Sequence, residues 1–410
     1  MLKNIATLIN GTVIAQFVVL LSAPVLTRIY SASDFGLLAE VATIATLVSI
    51  LGTLSYESSI VVEKNDKNIA NIFTICVLIS LTICMATFIA ALIIFGLEDW
   101  VKSFYIAISA LLLVFMNILY SFFNRLGLYK EISFSQIVRS IVLVVAQFSF
   151  GYFFWIEGGL VVGLLIGSFV SILFLMRFLN LADMLCVVNK KTMTSMAIKY
   201  VNFVRYSTPQ NIVSFIASSF PILVIMLYYN ATILGLYYLA KKIVQVPGGV
   251  IGSAVKRVFY RESAILVEKK EFLKLNIIYT KMIKYLALII IFPFSVLFFY
   301  SPDIFEFVFG YQWRISGEYA RWMALSFGSL FVASPARALF LTFGEQKKIL
   351  VIEIVTGLIA SFLFILSNYF YSLIYAIAIF SVSLLISNVV VIVYWGVSLR
   401  NKKNIIINNN

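Results

Sequence analysis

FYIAISALLLVFMNILY, running from Phe104 to Tyr120, decides the fold. It carries no charge, no Pro and no Gly, and its few polar residues do not alternate with apolar ones. A strand of a membrane barrel would alternate, one face to lipid and one to the lumen. Without alternation, only a helix satisfies every backbone N–H and C=O inside hydrocarbon. Ile374 to Trp395 reads the same way, and similar stretches fill the chain from Ile5 to Leu399. The fold class expected is an all-α polytopic membrane protein.

Composition agrees. Of 410 residues, 62% are hydrophobic and 12% charged, where a soluble domain would be about 25% charged. The net charge of +13 would point to nucleic acid in a soluble protein. Here Lys and Arg flank the spans, so no nucleic-acid partner is expected. Cys76, Cys84 and Cys186 have no paired spacing, which argues against a disulfide framework or thiolate metal site. The chain has no His, which removes His-ligated zinc and haem and His-based acid–base catalysis. No cofactor, metal or catalytic group is expected. Ile5–Thr27 is too long for a signal-peptide core and reads as a retained first span.

At about 20 residues per crossing, the chain holds about twelve spans. They fall near 5–27, 35–62, 69–95, 101–124, 132–155, 160–180, 206–229, 232–255, 277–300, 319–343, 348–368 and 371–398. The even-numbered connections are basic: Lys64 and Lys67; Arg125 and Lys130; Arg177 to Arg205; Lys256 to Lys284; Lys347 and Lys348. Lys3, Arg400, Lys402 and Lys403 place both termini with them. The positive-inside rule makes that side cytoplasmic, with Trp100, Trp155, Trp313 and Trp322 at the opposite interface. Between Leu181 and Arg205, Met193, Met196, Ala197, Tyr200 and Val204 recur at helical spacing beside Lys190, Lys191 and Lys199. That pattern predicts a helix on the inner leaflet. The chain then divides into a six-helix lobe over 1–180, a linker over 181–205, a second six-helix lobe over 206–400 and a tail over 401–410.

The halves echo each other. Pro24-Val-Leu followed by Asp34-Phe-Gly36 answers Pro221-Ile-Leu followed by Ile233-Leu-Gly235, and Gly127-Leu-Tyr-Lys130 answers Gly344-Glu-Gln-Lys347. Six helices per half make the repeat parallel, about a pseudo-two-fold axis along the membrane normal.

Charges inside spans cost about 2.5–3.5 kcal/mol each on insertion scales and mark function by default. Arg139 lies about 10 Å beyond Ile132 at ~1.5 Å per residue, with Gln136, Ser140 and Gln147 on its general face. Lys241 and Lys242 lie about 14 Å into helix eight, and Arg337 about 10 Å inside the end of helix ten. Asn211, Ser214 and Ser218 share a face of helix seven. Glu40 and Glu57 bracket helix two, and Glu353 falls in helix eleven. Each has a plainer reading: Arg28 and Glu57 snorkel from helix ends, polar faces pack helices, and the central cations pair with Glu40 or Glu353. Cations outnumber acids, and a spare positive charge in a cleft suits a phosphate. No Walker or dinucleotide loop is present; Pro247-Gly248-Gly249 lies inside a span and reads as a bend.

The opening segment, Asn10-Gly11, Gln16, Ala23-Pro24-Val-Leu-Thr-Arg28-Ile-Tyr30 and Asp34-Phe35-Gly36, resembles the start of the bacterial polysaccharide flippases. These Wzx-type transporters of O-antigen and capsule repeat units belong to the multidrug/oligosaccharidyl-lipid/polysaccharide exporter superfamily. Tyr206-Ser-Thr-Pro209, Leu234-Gly235-Leu-Tyr-Tyr-Leu-Ala-Lys241-Lys242, and Glu306-Phe-Val-Phe-Gly310 with Trp313 continue the likeness across the whole chain. The resemblance implies a two-lobed carrier of undecaprenyl-diphosphate-linked oligosaccharide in the inner membrane, working by alternating access. A cationic cavity would hold the diphosphate, and Arg28, Arg139, Lys241, Lys242 and Arg337 carry over by position. Gln136, Gln147, Asn211 and Ser214 would meet sugar hydroxyls, and Glu40, Glu57 or Glu353 would couple the cycle to protons or sodium. The partners implied are the lipid-linked substrate, membrane lipids, and a polysaccharide polymerase with its chain-length regulator. Two rivals stand beside this reading: a multidrug/cation antiporter, which favours a buried acidic site, and a membrane glycan polymerase or ligase, which favours a large outward loop.

Overall fold

The computed structural model describes residues 2–154, 158–179 and 188–408. Trp155, Leu181 and Cys186, named above, lie outside them. Among the described residues there is no strand.

In chain order the helices are α1 (Leu2–Ile29), α2 (Ala32–Gly52), α3 (Glu57–Val62), α4 (Asp66–Phe95), α5 (Trp100–Leu126), α6 (Tyr129–Ser149) and α7 (Gly159–Met176). They continue with α8 (Lys190–Lys199), α9 (Thr208–Tyr228), α10 (Ala231–Glu268), α11 (Phe272–Phe309), α12 (Arg314–Val332), α13 (Ser334–Thr342), α14 (Gln346–Phe370) and α15 (Leu373–Asn408). A π-helical turn extends α6 over Phe150–Phe154, and another leads into α9 over Phe203–Ser207.

Ten of these helices are long and apolar enough to cross a membrane, or eleven when α12 and α13 count as one span bent by 41°. The one expected span left over is the eighth, 232–255, which falls within α10 and is helical throughout. Lys241, Lys242 and Gln245 dilute its apolar character. The structure corrects two sequence-derived spans. The second does not run unbroken from 35 to 62: α2 stops at Gly52, and Leu54 and Ser55 take φ values of 48° and 61° before α3 begins. The tenth breaks at Ala333, just before Pro335. Proline has no N–H to give the preceding turn, so the helix bends there.

Contacts gather the chain into two compact units, Met1–Gly235 and Leu236–Asn410. In the first, α1 packs on α6, α6 on α7, and α5 on α2, α4 and α7; α9 lies against α2. In the second, α11 packs on α12 and α15, and α14 on α15. The units part later than the 181–205 linker because α9 is held by α2. Large apolar side chains such as Leu288, Phe292 and Phe362 remain exposed, as the lipid-facing side of a span requires. Cys76 and Cys84 are buried free thiols.

The starts of α2 and α10 explain the Asp34 and Gly36 of the opening motif. Ser31 caps α2: its Oγ accepts from the Asp34 N–H at 3.3 Å, and the Asp34 carboxylate accepts from the Ser31 N–H at 3.0 Å. This reciprocal box satisfies two of the helix's orphan donors. Asn230 caps α10 by accepting from the Ile233 N–H at 3.0 Å. The two helix starts then meet backbone to backbone. A Cβ on Gly36 would lie 1.9 Å from the Ala231 carbonyl oxygen, and one on Gly235 would lie 1.8 Å from the Ala32 carbonyl oxygen. Each helix offers a glycine to the other's first carbonyl, the same contact read in both directions.

Candidate functional site: a polar cavity and the intramembrane charges

Helix α5 carries Asn117, Tyr120, Ser121 and Asn124 at i, i+3, i+4 and i+7, which places all four on one face. Across from that face, α2 ends with Ser49 and Ile50. The left-handed residues Leu54 and Ser55 then reverse the chain and bring Glu57 back toward α5. Asn211 of α9 closes the ring. Together they line a cavity of about 390 Å³, open on one side and wholly within the first unit.

Ser55 fixes this arrangement. Its Oγ lies 3.1 Å from the Thr208 hydroxyl and accepts from the Asn211 side-chain amide at 3.3 Å. One Glu57 oxygen, Oε2, is buried without a hydrogen-bond partner. The cavity sits at the end of α5 that carries Arg125, whose guanidinium donates to the carbonyls of Glu63 and Lys64.

The structure brings together two of the sequence-derived site residues, Glu57 and Asn211. It adds Ser49, Asn117, Tyr120, Ser121 and Asn124. The signal for these was the i, i+3, i+4, i+7 polar stripe at the end of the very stretch whose apolar character decides the fold.

The remaining residues are spread over both units. In the first, the buried side of Arg139 donates from Nε to the Ser168 hydroxyl at 3.2 Å, within electrostatic range of the Tyr120 phenol. Gln136 accepts from Thr12 at 2.8 Å, tying α6 to α1. Gln147 is buried and donates to the Leu160 carbonyl at 2.8 Å, tying α6 to α7. Glu40 forms an ion pair with Lys102 at 2.7 Å. Arg28 and Ser214 are exposed.

In the second unit, Arg337 pairs with Glu353 and donates to Asn388 at 3.0 Å. Asn388 in turn donates to Ser329 at 3.0 Å. Lys256 lies within electrostatic range of Arg337 and Glu353. Lys241 and Lys242 are half-buried in α10, with the Lys242 ammonium 5.7 Å from the centre of the Tyr238 ring. Arg139 and Lys242 have no carboxylate partner among the described residues. Among those residues no group of three His, Cys, Asp or Glu side chains is placed to hold a metal.

The comparisons say which family these membrane-spanning helices and their polar cavity belong to. A family model described as "Polysaccharide biosynthesis protein" matches residues 25–318, and the chain belongs to that family. Its fold is shared with transporters of known structure. The inward-facing conformation of a multidrug resistance MATE family transporter of the MOP superfamily aligns with a TM-score of 0.75 at 14% identity, covering 95% of this chain and 96% of that one. The outward-facing conformation of such a transporter gives 0.59 at 15% identity, covering 98% and 96%. A MOP superfamily transporter from Pyrococcus furiosus gives 0.60 at 14% identity, covering 98% and 96%. That protein is described as having a binding pocket of reverse polarity that suggests a different function. No curated protein matches the chain.

Proposed function

We propose that this protein carries undecaprenyl-diphosphate-linked oligosaccharide, the repeat unit of an O-antigen or capsule, across the bacterial inner membrane by alternating access. Family membership supports the polysaccharide side of this reading. The charge balance within the helices carries the rest. Glu40 is spent on Lys102 and Glu353 on Arg337, while Arg139 and Lys242 face no carboxylate among the described residues. An uncompensated cation is costly in hydrocarbon. A diphosphate offers both the opposing charge and the acceptor oxygens that Arg and Lys bind. A cationic drug would need the opposite polarity.

In this reading both termini and the basic loops are cytoplasmic, and the repeat is two six-helix lobes over 1–180 and 206–400. Arg28, Lys241 and Arg337 are the further cations of this reading and Glu40, Glu57 and Glu353 its coupling carboxylates, of which Glu40 and Glu353 would act only by giving up Lys102 and Arg337. A polymerase and chain-length regulator would receive the product.

The test is translocation of a polyprenyl-diphosphate glycan in proteoliposomes. The wild-type protein should move it, and Arg139→Gln or Lys242→Gln should each slow it about tenfold, the loss of a charge-assisted bond of about 1.5 kcal/mol. Export of cationic dyes without movement of the lipid-linked glycan would overturn the proposal in favour of a drug antiporter.

A further inference from the structure

The cavity beside α5 has chemistry that the diphosphate does not use. Its charged lining residue is Glu57, and no Lys or Arg lines it. A diphosphate is therefore repelled from this space. What remains is a set of groups that both give and accept hydrogen bonds: the carboxamides of Asn117, Asn124 and Asn211, the hydroxyl of Ser121 and the phenol of Tyr120. At about 390 Å³ the cavity falls in the range of small-molecule sites, about 300–1,000 Å³. A bare cation is an order of magnitude smaller, since even a water takes about 30 Å³.

Two local features point to a ligand. The Glu57 Oε2 atom is buried with no partner, which a folded protein tolerates only for a reason. The chain also accepts left-handed backbone at Leu54 and Ser55, neither of them glycine, and so brings Glu57 and Asn211 to the same rim. Non-glycine residues pay about 1–2 kcal/mol for that conformation, and such positions cluster at binding sites.

We infer that this cavity binds one pyranose ring of the glycan, and that it selects neutral or amino sugars over uronic acids. The inference rests on the proposed function for its substrate and adds where the sugar is read. Vicinal ring hydroxyls need neighbouring donors and acceptors, which a carboxamide supplies in pairs. The Glu57 carboxylate accepts from a hydroxyl or an ammonium and opposes the carboxylate of a uronic acid.

Saturation-transfer NMR on the full-length protein in lipid nanodiscs tests this with free methyl glucoside, N-acetylglucosamine and glucuronate as probes. The two neutral sugars should receive saturation and glucuronate should not. Asn117→Ala and Asn211→Ala should each weaken the neutral sugars about fivefold, the value of one hydrogen bond of about 1 kcal/mol. Ser121→Ala, a milder change, should act in the same direction should either Asn variant fail to fold. Glu57→Gln should admit glucuronate on equal terms.

Sugars that do not bind, or bind equally well to the folded variants, overturn the inference. Tetraphenylphosphonium displacing the sugars also overturns it, making this an organic-cation site. Proteoliposomes with polyprenyl-diphosphate N-acetylglucosamine separate the two claims. Translocation with sugar preference unchanged by the variants removes the site and leaves the transporter. Sugar binding without translocation of any lipid-linked glycan removes the transporter and leaves the site.

Discussion

A methyl group is too large for Gly36 and Gly235, because the atoms that a Cβ would meet are backbone carbonyls that cannot rotate away. Gly36→Ala should therefore destabilise the protein by about 1–3 kcal/mol or prevent folding, the cost of overpacking. Gly396 lies within α15 with nothing within 4 Å of its would-be Cβ. Gly396→Ala should raise stability by about 1 kcal/mol through helix propensity alone. Thermal unfolding in one detergent reads both signs, and a lower melting temperature for Gly396→Ala would refute the argument. Asn388 is the matching polar case: it is buried, bonded to both Arg337 and Ser329. Asn388→Leu should cost about 1–3 kcal/mol by leaving those groups unmatched. At this scale the sequence marked the polar residues inside the spans and offered Glu353 as a partner for a central cation, which Arg337 takes, but it did not give the other pairings. Nothing along the chain links Glu40 to Lys102 or Arg337 to Asn388, since those pairings depend on how separate helices pack.

Helix α8 shows what an amphipathic pattern does and does not say. The spacing of Met193, Met196, Tyr200 and Val204 predicts a helix with one apolar face; α8 holds the first two, Tyr200 caps its end, and Val204 follows in the π-helical turn. The face meets protein: Met196 and Tyr200 are buried with Tyr56, Ile60, Ile72 and Ile118, and Met193 and Val204 pack against them. A sequence pattern gives the apolar stripe and leaves open whether lipid or protein covers it. Glu63 locks the docked helix by accepting from Lys199 at 2.5 Å and Tyr200 at 2.8 Å. Burial alone would raise the Glu63 carboxyl, but bonds from Lys199, the Asn65 N–H and Tyr200, with the Lys199 charge, bring it down to about 2. A carboxyl lowered on folding contributes stability above its unfolded value of 4.5 and loses it as pH falls toward 2. The lock should thus hold unchanged from about pH 5 upward through neutrality. Glu63→Gln should speed tryptic cleavage at Lys190, Lys191 or Lys199 at neutral pH; an unchanged cleavage rate would show that apolar packing alone holds α8. The helix breaks at 53–56 and 333 were less legible, because apolar composition continues through both and the break lies in backbone angles. The α5 stripe was hidden for a similar reason: three small polar residues scarcely change the hydropathy of a span this apolar.

At the scale of the molecule, hydropathy located the helices because hydrocarbon allows so few alternatives. The orientation of those helices is open to direct measurement. In a background with Cys76, Cys84 and Cys186 replaced, a cysteine at the exposed Tyr371 should react with an impermeant maleimide in intact cells. One at Lys270 should react only after the membrane is opened, and the reverse result would invert the topology. The glycine contact between the starts of α2 and α10 reaches further than stability. A contact that reads the same from both partners is self-complementary, the kind through which two copies of one subunit associate. Ser31 and Asn230, Ala32 and Ala231, Gly36 and Gly235 hold corresponding places in it. A bulge on either face would meet main chain on the other, so this seam has no side chain through which to give way.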